Sequence, residues 1–135
     1  MQKLEWTDKL SVNISVFDNE HKKLIGIINR LYDAMSQGLG HKAMAGILVE
    51  LSDYTKTHFE HEEDAMKRHD YPGFAEQKKA HDEFVNKLND TRTQYENGGI
   101  TLSIPLFKLL LSWVENHIMK IDQKYSEFFI ERGMK

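Results

Sequence analysis

The residues of this sequence that could do chemistry are polar side chains that recur at helical spacing. His58 and Glu62 lie four positions apart, which places them about 40° apart around an α-helix and on one face. Gln77 and His81 repeat this spacing later in the chain. Both pairs fall on the apolar side of their segments, where an imidazole or a carboxylate carries a desolvation cost unless it is paired or bound to a metal ion.

Three further polar residues follow the same pattern. His21 is in line with Ile28, and His117 lies four positions after Trp113 in another apolar stripe. Asp122 follows His117 at a spacing of five, about 140° around an α-helix, so we expect it to reach inward from the edge of the stripe. Four separate stretches of the chain therefore each send at least one histidine or carboxylate inward.

Together these residues offer four imidazoles, two carboxylates and one amide. Imidazole with carboxylate and no thiolate suits iron, and also manganese or zinc. The sequence has no cysteine, which excludes zinc–thiolate and iron–sulfur sites. Two carboxylates among this many nitrogen donors favour two metal ions bridged by carboxylates over a single ion. The alternative is a hydrogen-bonded core histidine at each position, or a surface ion pair for His58 and Glu62, but the agreement across four stretches favours the metal site.

Four amphipathic segments must position these residues. Apolar residues recur at spacings of three and four between glycines and prolines, and the segments run from about Asp18 to Gln37, Lys42 to Arg68, Phe74 to Asn97 and Ser103 to Arg132. The short connections favour antiparallel neighbours. We therefore predict an all-α fold, an antiparallel up-down-up-down four-helix bundle with the polar set near one end.

The remaining chain organisation is simple. We expect residues 1–135 to form a single domain in which residues 1–17 are an N-terminal arm. The arm carries Trp6, Val12, Ile14 and Val16, which we expect to pack across the bundle. A chain of this length has room for one hydrophobic core.

Three other histidines provide a contrast. We expect His41 to lie in a loop, because it falls between two of the predicted helices. His61 and His69 fall off the apolar stripe of their segment, among charged residues. We therefore interpret all three as solvated side chains rather than metal ligands.

Composition narrows the function classes further. The net charge is −3 and basic residues are spread among acidic ones, so the basic stripe that nucleic-acid binding needs is missing. The N-terminal stretch MQKLEWTDKL has no apolar core typical of a signal peptide, and IPLFKLLLSWV is too short to span a membrane. We expect a cytoplasmic monomer whose partner is a small molecule, with no nucleic-acid or membrane partner.

The spaced polar set resembles that of the hemerythrins, particularly the single-domain bacterial hemerythrins. The matching order is His21, then His58-x-x-x-Glu62, then His81, then His117-x-x-x-x-Asp122. The surrounding stretches match as well, namely DNEHKKL, HFEHEE, YPGFAEQKKAHDEF and WVENHIMKIDQKY. The resemblance runs from Trp6 to Phe129.

The resemblance implies a four-helix bundle that holds two iron ions in a non-haem di-iron centre and binds O2 reversibly. Glu62 and Asp122 would bridge the two irons, together with an oxo or hydroxo group. His21 and His58 would hold the iron that keeps an open position for O2. We therefore expect O2 storage, delivery or sensing, without enzymatic turnover as the main role.

One residue departs from the ligand set that the resemblance implies. The second iron would take His81, His117 and the residue at position 77, which is a glutamine where the family has a histidine. Its neutral carbonyl oxygen donates electron density to iron less well than imidazole. Gln77 would bind weakly, hold a water molecule in the open position or leave this metal loosely bound. Our hypothesis is faster autoxidation and some peroxidase-like reactivity. The sequence leaves open whether the glutamine is an engineered substitution or a natural replacement that the site tolerates.

Apolar neighbours of these residues are candidates for the wall of an O2 pocket. Val114 and Ile118 flank His117 and could exclude water from bound O2. Trp113 and Phe59 are further candidates. Ordinary core packing is the alternative for all four residues.

Three other functions stay open at this point. The first is a di-iron enzyme with peroxide or nitric oxide chemistry on the same scaffold, which steady-state peroxide consumption would reveal. The second is an interaction module that relays the O2 or iron state to a partner, which a fused signalling domain would support. The third is a zinc or manganese site, which metal analysis and an absorption spectrum would distinguish from iron.

Overall fold

The structure is a computed structural model that describes residues 3–98 and 102–135. A short 3₁₀ turn at Asp8–Leu10 precedes the helices α1 (Ser15–Ser36), α2 (Gly40–Arg68), α3 (Phe74–Glu96), α4 (Ser103–Ser112) and α5 (Gln123–Glu131). Between α4 and α5 lies a π-helical stretch, Trp113–Ile121, called the π segment below. Within the described ranges no residue lies in a β-strand.

The helices form the predicted bundle. α1 packs against α2 and α4, and α2 packs against α3. The helices α4 and α5 are joined by the π segment, and the three together form the fourth helical segment of the bundle. The predicted all-α four-helix architecture is confirmed. No helix of residues 3–98 and 102–135 combines the length and the apolar composition that crossing a bilayer requires.

The start of α1 differs from the prediction because the carboxylate of Asp18 ties the arm to this helix. Its two oxygens accept hydrogen bonds from the backbone N–H of Val12 at 2.8 Å and from the hydroxyl of Ser11 at 2.6 Å. α1 therefore begins at Ser15, and Val16 lies in its first turn with 45% of its surface exposed. The expectation that Val16 packs against the bundle is wrong.

The rest of the arm packs largely as predicted. Val12 and Ile14 have 1% or less of their surface exposed, and Trp6 is half-buried. The buried hydroxyl of Ser126 donates to the backbone carbonyl of Val12 at 2.6 Å, which fixes the arm against α5.

The start of α2 is set by a close approach to α4. Gly40 opens α2, and a Cβ atom at this position would lie 2.8 Å from Ser103 Oγ at the start of α4. A larger residue would therefore push the two helices apart. Because α2 begins here, His41 lies in its first turn and not in a loop as predicted.

Two apolar clusters flank the polar residues along the bundle axis. The larger is built mainly from α1, α2 and α4 and contains fully buried residues such as Ile28, Leu51 and Phe107. The smaller joins the arm to α5 and contains Phe17 and Phe129. Full burial of one such side chain stabilises a fold by about 1.5–3 kcal/mol, so the clusters together can offset the cost of burying charged groups between them.

The π segment changes which residues share a face in the fourth helical segment. The backbone N–H of Asp122 donates to the carbonyl of His117 at 2.9 Å, an i→i+5 bond in place of the α-helical i→i+4 bond. Segments of this kind are rare and occur frequently at functional sites. A spacing of five residues is close to one turn of such a helix, so Asp122 lies below His117 on the same face.

Candidate metal centre

The structure brings all seven polar residues predicted from the sequence into one buried layer. Each has 3% or less of its surface exposed, and the set consists of His21, His58, Glu62, Gln77, His81, His117 and Asp122. α1 supplies one residue, α2 two, α3 two and the π segment one, and the aspartate follows the π segment directly. All four helical segments of the bundle therefore contribute side chains to this layer.

Glu62 lies among three imidazoles. Its Oε1 is 3.2 Å from His58 Nε2 and 3.3 Å from His81 Nε2. Its Oε2 is 3.7 Å from His21 Nε2. One donor atom from each of His21, His58 and Glu62 lies within 4.8 Å of the other two, a spacing that could hold a metal ion. A single carboxylate thus faces ring nitrogens from α1, α2 and α3.

Asp122, the second carboxylate of the layer, also faces imidazoles from two helical segments. Its Oδ1 is 3.1 Å from His117 Nε2, and its Oδ2 is 3.4 Å from His21 Nε2. The π segment makes the first contact possible, because in an α-helix a residue five positions on would point about 140° away. The two carboxylates both face His21, so together they could span two metal ions.

Gln77 is held against Asp122. Its Nε2 donates a hydrogen bond to Asp122 Oδ1 at 2.9 Å, and only 1% of its surface is exposed. Its Oε1 is buried without a hydrogen-bond partner. The amide can therefore orient the carboxylate through its nitrogen and offer its oxygen to a cation at the same time.

The unsatisfied atoms of this layer fit metal ions. Buried atoms without a hydrogen-bond partner include Nε2 of His21, His81 and His117, Oε1 of Glu62 and Oδ2 of Asp122, whereas nearly all buried polar atoms in proteins are hydrogen-bonded. Two ligand atoms that each lie about 2.0–2.2 Å from one ion are roughly 3.0–3.5 Å apart. The nitrogen–oxygen separations of 3.1–3.7 Å are close to that range, and the imidazole and carboxylate donors suit iron.

Two acidic residues that the sequence reasoning missed hold the outer side of the imidazoles. Glu20 Oε1 is 2.8 Å from His58 Nδ1, and Glu63 Oε2 is 2.8 Å from His81 Nδ1. Such outer hydrogen bonds fix the ring orientation and make the inner nitrogen a better metal ligand. Each of the two acids is the direct chain neighbour of a predicted ligand, and this adjacency was the available signal.

The three histidines interpreted as solvated have different environments. His61 is about half exposed, and its Nδ1 pairs with Glu20, so it belongs to the surroundings of the site. His69 is partly buried and packs against Phe129, with ring centroids 5.7 Å apart. His41 is exposed, as expected. The interpretation as a solvated side chain is therefore confirmed for His41 and His61, and it is wrong in part for His69.

Aromatic rings cover the imidazoles nearest Gln77. Phe59 stacks on His81 with ring centroids 3.9 Å apart and planes 1° apart. Trp113 stacks on His117 at 3.8 Å and 11°. These two aromatic residues therefore cover His81 and His117, and the ring of Phe59 also lies 5.8 Å from that of His58.

The larger apolar cluster reaches His58 through the ring of Tyr54. Val114 and Ile118 have 1% of their surface exposed and belong to the larger apolar cluster, together with Tyr54. The ring of Tyr54 lies nearly parallel to that of His58, with centroids 5.3 Å apart and planes 20° apart. From the smaller cluster, the hydroxyl of Tyr125 donates a hydrogen bond to Glu62.

The protein groups themselves set the charge of the layer. Burial lowers the pKa of His21, but the nearby carboxylates of Asp122 and Glu62 outweigh burial and raise this pKa to about 10. Burial also lowers the pKa of His81, but the carboxylates of Glu62 and Glu63 outweigh burial and raise this pKa to about 9. Burial raises the pKa of Glu62, yet the neighbouring imidazoles reverse this and hold it well below its ordinary value. The carboxylates are thus anionic and ready to bind cations.

Comparisons with known proteins agree with this geometry. The sequence matches the domain family described as "Hemerythrin HHE cation binding domain" over residues 12–129. It is 38% identical over 125 residues to a bacteriohemerythrin of Pseudomonas aeruginosa, which covers 93% of this chain and 80% of the relative. It is 30% identical over 121 residues to a myohemerythrin of Sipunculus nudus, which covers 89% of this chain and 88% of the relative.

A solved structure agrees as well. The crystal structure of a wild-type hemerythrin superposes with a TM-score of 0.84 at 28% identity, over 93% of this chain and 97% of that chain. The family match, the relatives and the fold all cover most of the described helices. The chain therefore belongs to the hemerythrin family, the O2-binding proteins with a di-iron centre.

Proposed function

We propose that this chain binds O2 reversibly at a carboxylate-bridged, non-haem di-iron centre, for O2 storage, delivery or sensing. The observation that carries the proposal is the buried layer of imidazole, carboxylate and amide groups, several of whose inward atoms have no hydrogen-bond partner. When bound, the iron pair supplies the electrons that O2 accepts on binding and returns on release. The protein must hold the pair, keep water away and leave room for O2.

We assign one iron to His21 and His58, whose ring centroids are 4.7 Å apart. These two imidazoles, with the carboxylates of Glu62 and Asp122, would hold this ion, and a small ligand would bind on the same side of the layer. Glu62 and Asp122 are the bridging groups in this proposal, because each faces donors from more than one helical segment of the bundle. Glu20 positions the ring of His58 from outside.

We assign the other iron to His81, His117 and the amide oxygen of Gln77. The support is the unpartnered Oε1 of the glutamine and the fixed orientation of its amide against Asp122. Because an amide oxygen donates less electron density than imidazole, this iron should be held less firmly than one with three imidazoles. Faster autoxidation follows from the same argument.

The apolar cover gives the proposed site its preference for reversible binding. Val114 and Ile118, on either side of His117 in the chain, are fully buried, and a site that excludes water protects a bound ligand from proton-driven side reactions. Phe59 stacks on the imidazole of His81, and Trp113 stacks on that of His117. An enzyme that turns over peroxide would need access for substrate and protons, which this cover restricts.

The proposal is tested by anaerobic loading with Fe(II), followed by repeated cycles of air and argon while the absorption spectrum is recorded. We expect absorption bands that rise in air and fall under argon over several cycles. His58→Ala should abolish the response, whereas His69→Ala, a histidine outside the layer, should retain it. A spectrum unchanged by air, or irreversible bleaching with steady consumption of added peroxide, would contradict O2 carriage.

A further inference from the structure

The feature that the proposed function leaves unexplained is the hydroxyl of Tyr54. This side chain has 4% of its surface exposed, and its Oη has no hydrogen-bond partner. Among the buried side chains of residues 3–98 and 102–135, no other hydroxyl group lacks a hydrogen-bond partner. Burying a hydroxyl without a partner is unfavourable, and phenylalanine would fill the same apolar space without that cost.

The ring of Tyr54 lies beside a histidine of the proposed metal centre. Tyr54, His58 and Glu62 follow one another at intervals of four and so share one face of α2. The phenol ring lies alongside the imidazole of His58, with planes 20° apart and centroids 5.3 Å apart. Both side chains leave the same face and Tyr54 Oη is buried, so the hydroxyl lies in the interior of the bundle on the His58 face of α2.

The ring of Tyr54 lies in apolar surroundings. Tyr54 belongs to the same cluster as Val114 and Ile118, the predicted wall residues. By contrast, the hydroxyl of Tyr125 on the other side of the layer is already used, since it donates to Glu62. A phenol O–H that is buried without a protein partner, on a ring beside the imidazole of His58, is suited to donate one hydrogen bond to a small anionic or electron-rich ligand.

We propose that Tyr54 contacts the small ligand at the His21–His58 side of the centre and donates a hydrogen bond to it. This role rests on the proposed function, because it requires a ligand at that position. It predicts that the pocket is selective for ligands that can accept a hydrogen bond at their outer atom, such as O2 or azide. A ligand of similar size without a good acceptor would gain nothing from the hydroxyl.

The test compares the unaltered protein with Tyr54→Phe after iron loading and oxidation, with sodium azide as the probe. We expect the azide dissociation constant to rise about tenfold in Tyr54→Phe, the effect of losing one hydrogen bond to a charged group. The infrared stretch of bound azide should shift in D2O in the unaltered protein and not in the variant. Tyr95→Phe, which alters an exposed hydroxyl near His41, should leave both readouts unchanged.

A second measurement separates ligand contact from a structural role. In the metal-free protein we expect Tyr54→Phe to have the same Tm as the unaltered protein or a higher one, because no protein hydrogen bond is lost. A Tm that falls as far as that of Tyr125→Phe would overturn the inference. Unchanged azide affinity, beside a normal response of the unaltered protein to O2, would overturn the role of Tyr54 alone. An unaltered protein that takes up no iron would overturn the proposed function as well.

Discussion

Gln77 combines two roles that substitution can separate. Its nitrogen holds Asp122, and its oxygen is available to a cation. Gln77→Leu keeps a similar volume and removes both groups. Gln77→His removes the amide but supplies a ring nitrogen on the same helical face as His81. The two variants therefore distinguish the loss of a metal donor from its replacement.

The structure sets the size of the effect on the metal-free protein. The bond from Gln77 to Asp122 is 2.9 Å long, buried at both ends and made to a carboxylate. Removing a hydrogen bond of this kind costs about 1.5–3 kcal/mol, which corresponds to a fall in Tm of roughly 5–10 °C for a chain of this size. Gln77→Leu should show this loss, whereas the exposed Gln94→Leu should change stability by less than about 0.5 kcal/mol.

Iron content and autoxidation then report on the donor role. We expect Gln77→Leu to retain less iron than the unaltered protein after gel filtration. We expect Gln77→His to hold iron more firmly, by about 10–100-fold in a chelator competition, and to oxidise more slowly in air. The absorption change of the reduced, iron-loaded protein in air measures the second quantity directly.

Two results would refute this reasoning. Equal iron content and equal autoxidation rates in the unaltered protein and Gln77→His would mean that this residue does not influence the centre. An unchanged Tm in Gln77→Leu would mean that the hydrogen bond to Asp122 contributes nothing to the metal-free fold.

Three further predictions concern the residues around the centre. Glu20→Gln should weaken iron binding about 10–100-fold in a chelator competition, because the carboxylate that orients the imidazole of His58 is lost. The control Glu50→Gln, which alters an exposed ion pair on the surface, should not change the iron affinity. Equal iron affinities of Glu20→Gln and the unaltered protein would exclude the positioning role of Glu20. Tyr125→Phe should lower the free energy of unfolding of the metal-free protein by about 1.5–3 kcal/mol in urea, because the buried donor to a carboxylate is removed, and a change as small as that of Tyr95→Phe would contradict this. Iron binding should release protons, and the iron affinity should increase as the pH rises from about 6 to 8. The reason is that the pKa of His21 is raised to about 10, so a bound proton competes with the metal ion for this imidazole. An iron affinity that does not change with pH would show that this competition is absent.

The bundle and the inward polar set could be predicted from the sequence because both follow from helical spacing. His58 and Glu62, or Gln77 and His81, share a face in any α-helix, and the apolar stripes show which face is buried. The agreement of four such stripes made the set of donors specific. Helix ends were less accurate, because α1 begins where Asp18 accepts bonds from the arm and this contact has no periodic signal.

The position of Asp122 could not be predicted from α-helical spacing. That spacing places it at the edge of the stripe, whereas the π segment brings it under His117. The outer partners were missed for a related reason. Glu20 belongs to α1 and reaches His58 on α2, so its role depends on the distance between two helices and not on spacing within one. The direction of the Gln77 amide likewise depends on a residue 45 positions away.

The central claim is tested most directly by iron analysis of one anaerobically reduced, loaded sample together with its absorption spectrum before and after exposure to air. The account predicts two irons per chain, a nearly colourless reduced protein and charge-transfer bands that appear in air and disappear when O2 is removed. A protein that holds a colourless metal such as zinc, or one iron per chain with no response to air, would contradict it.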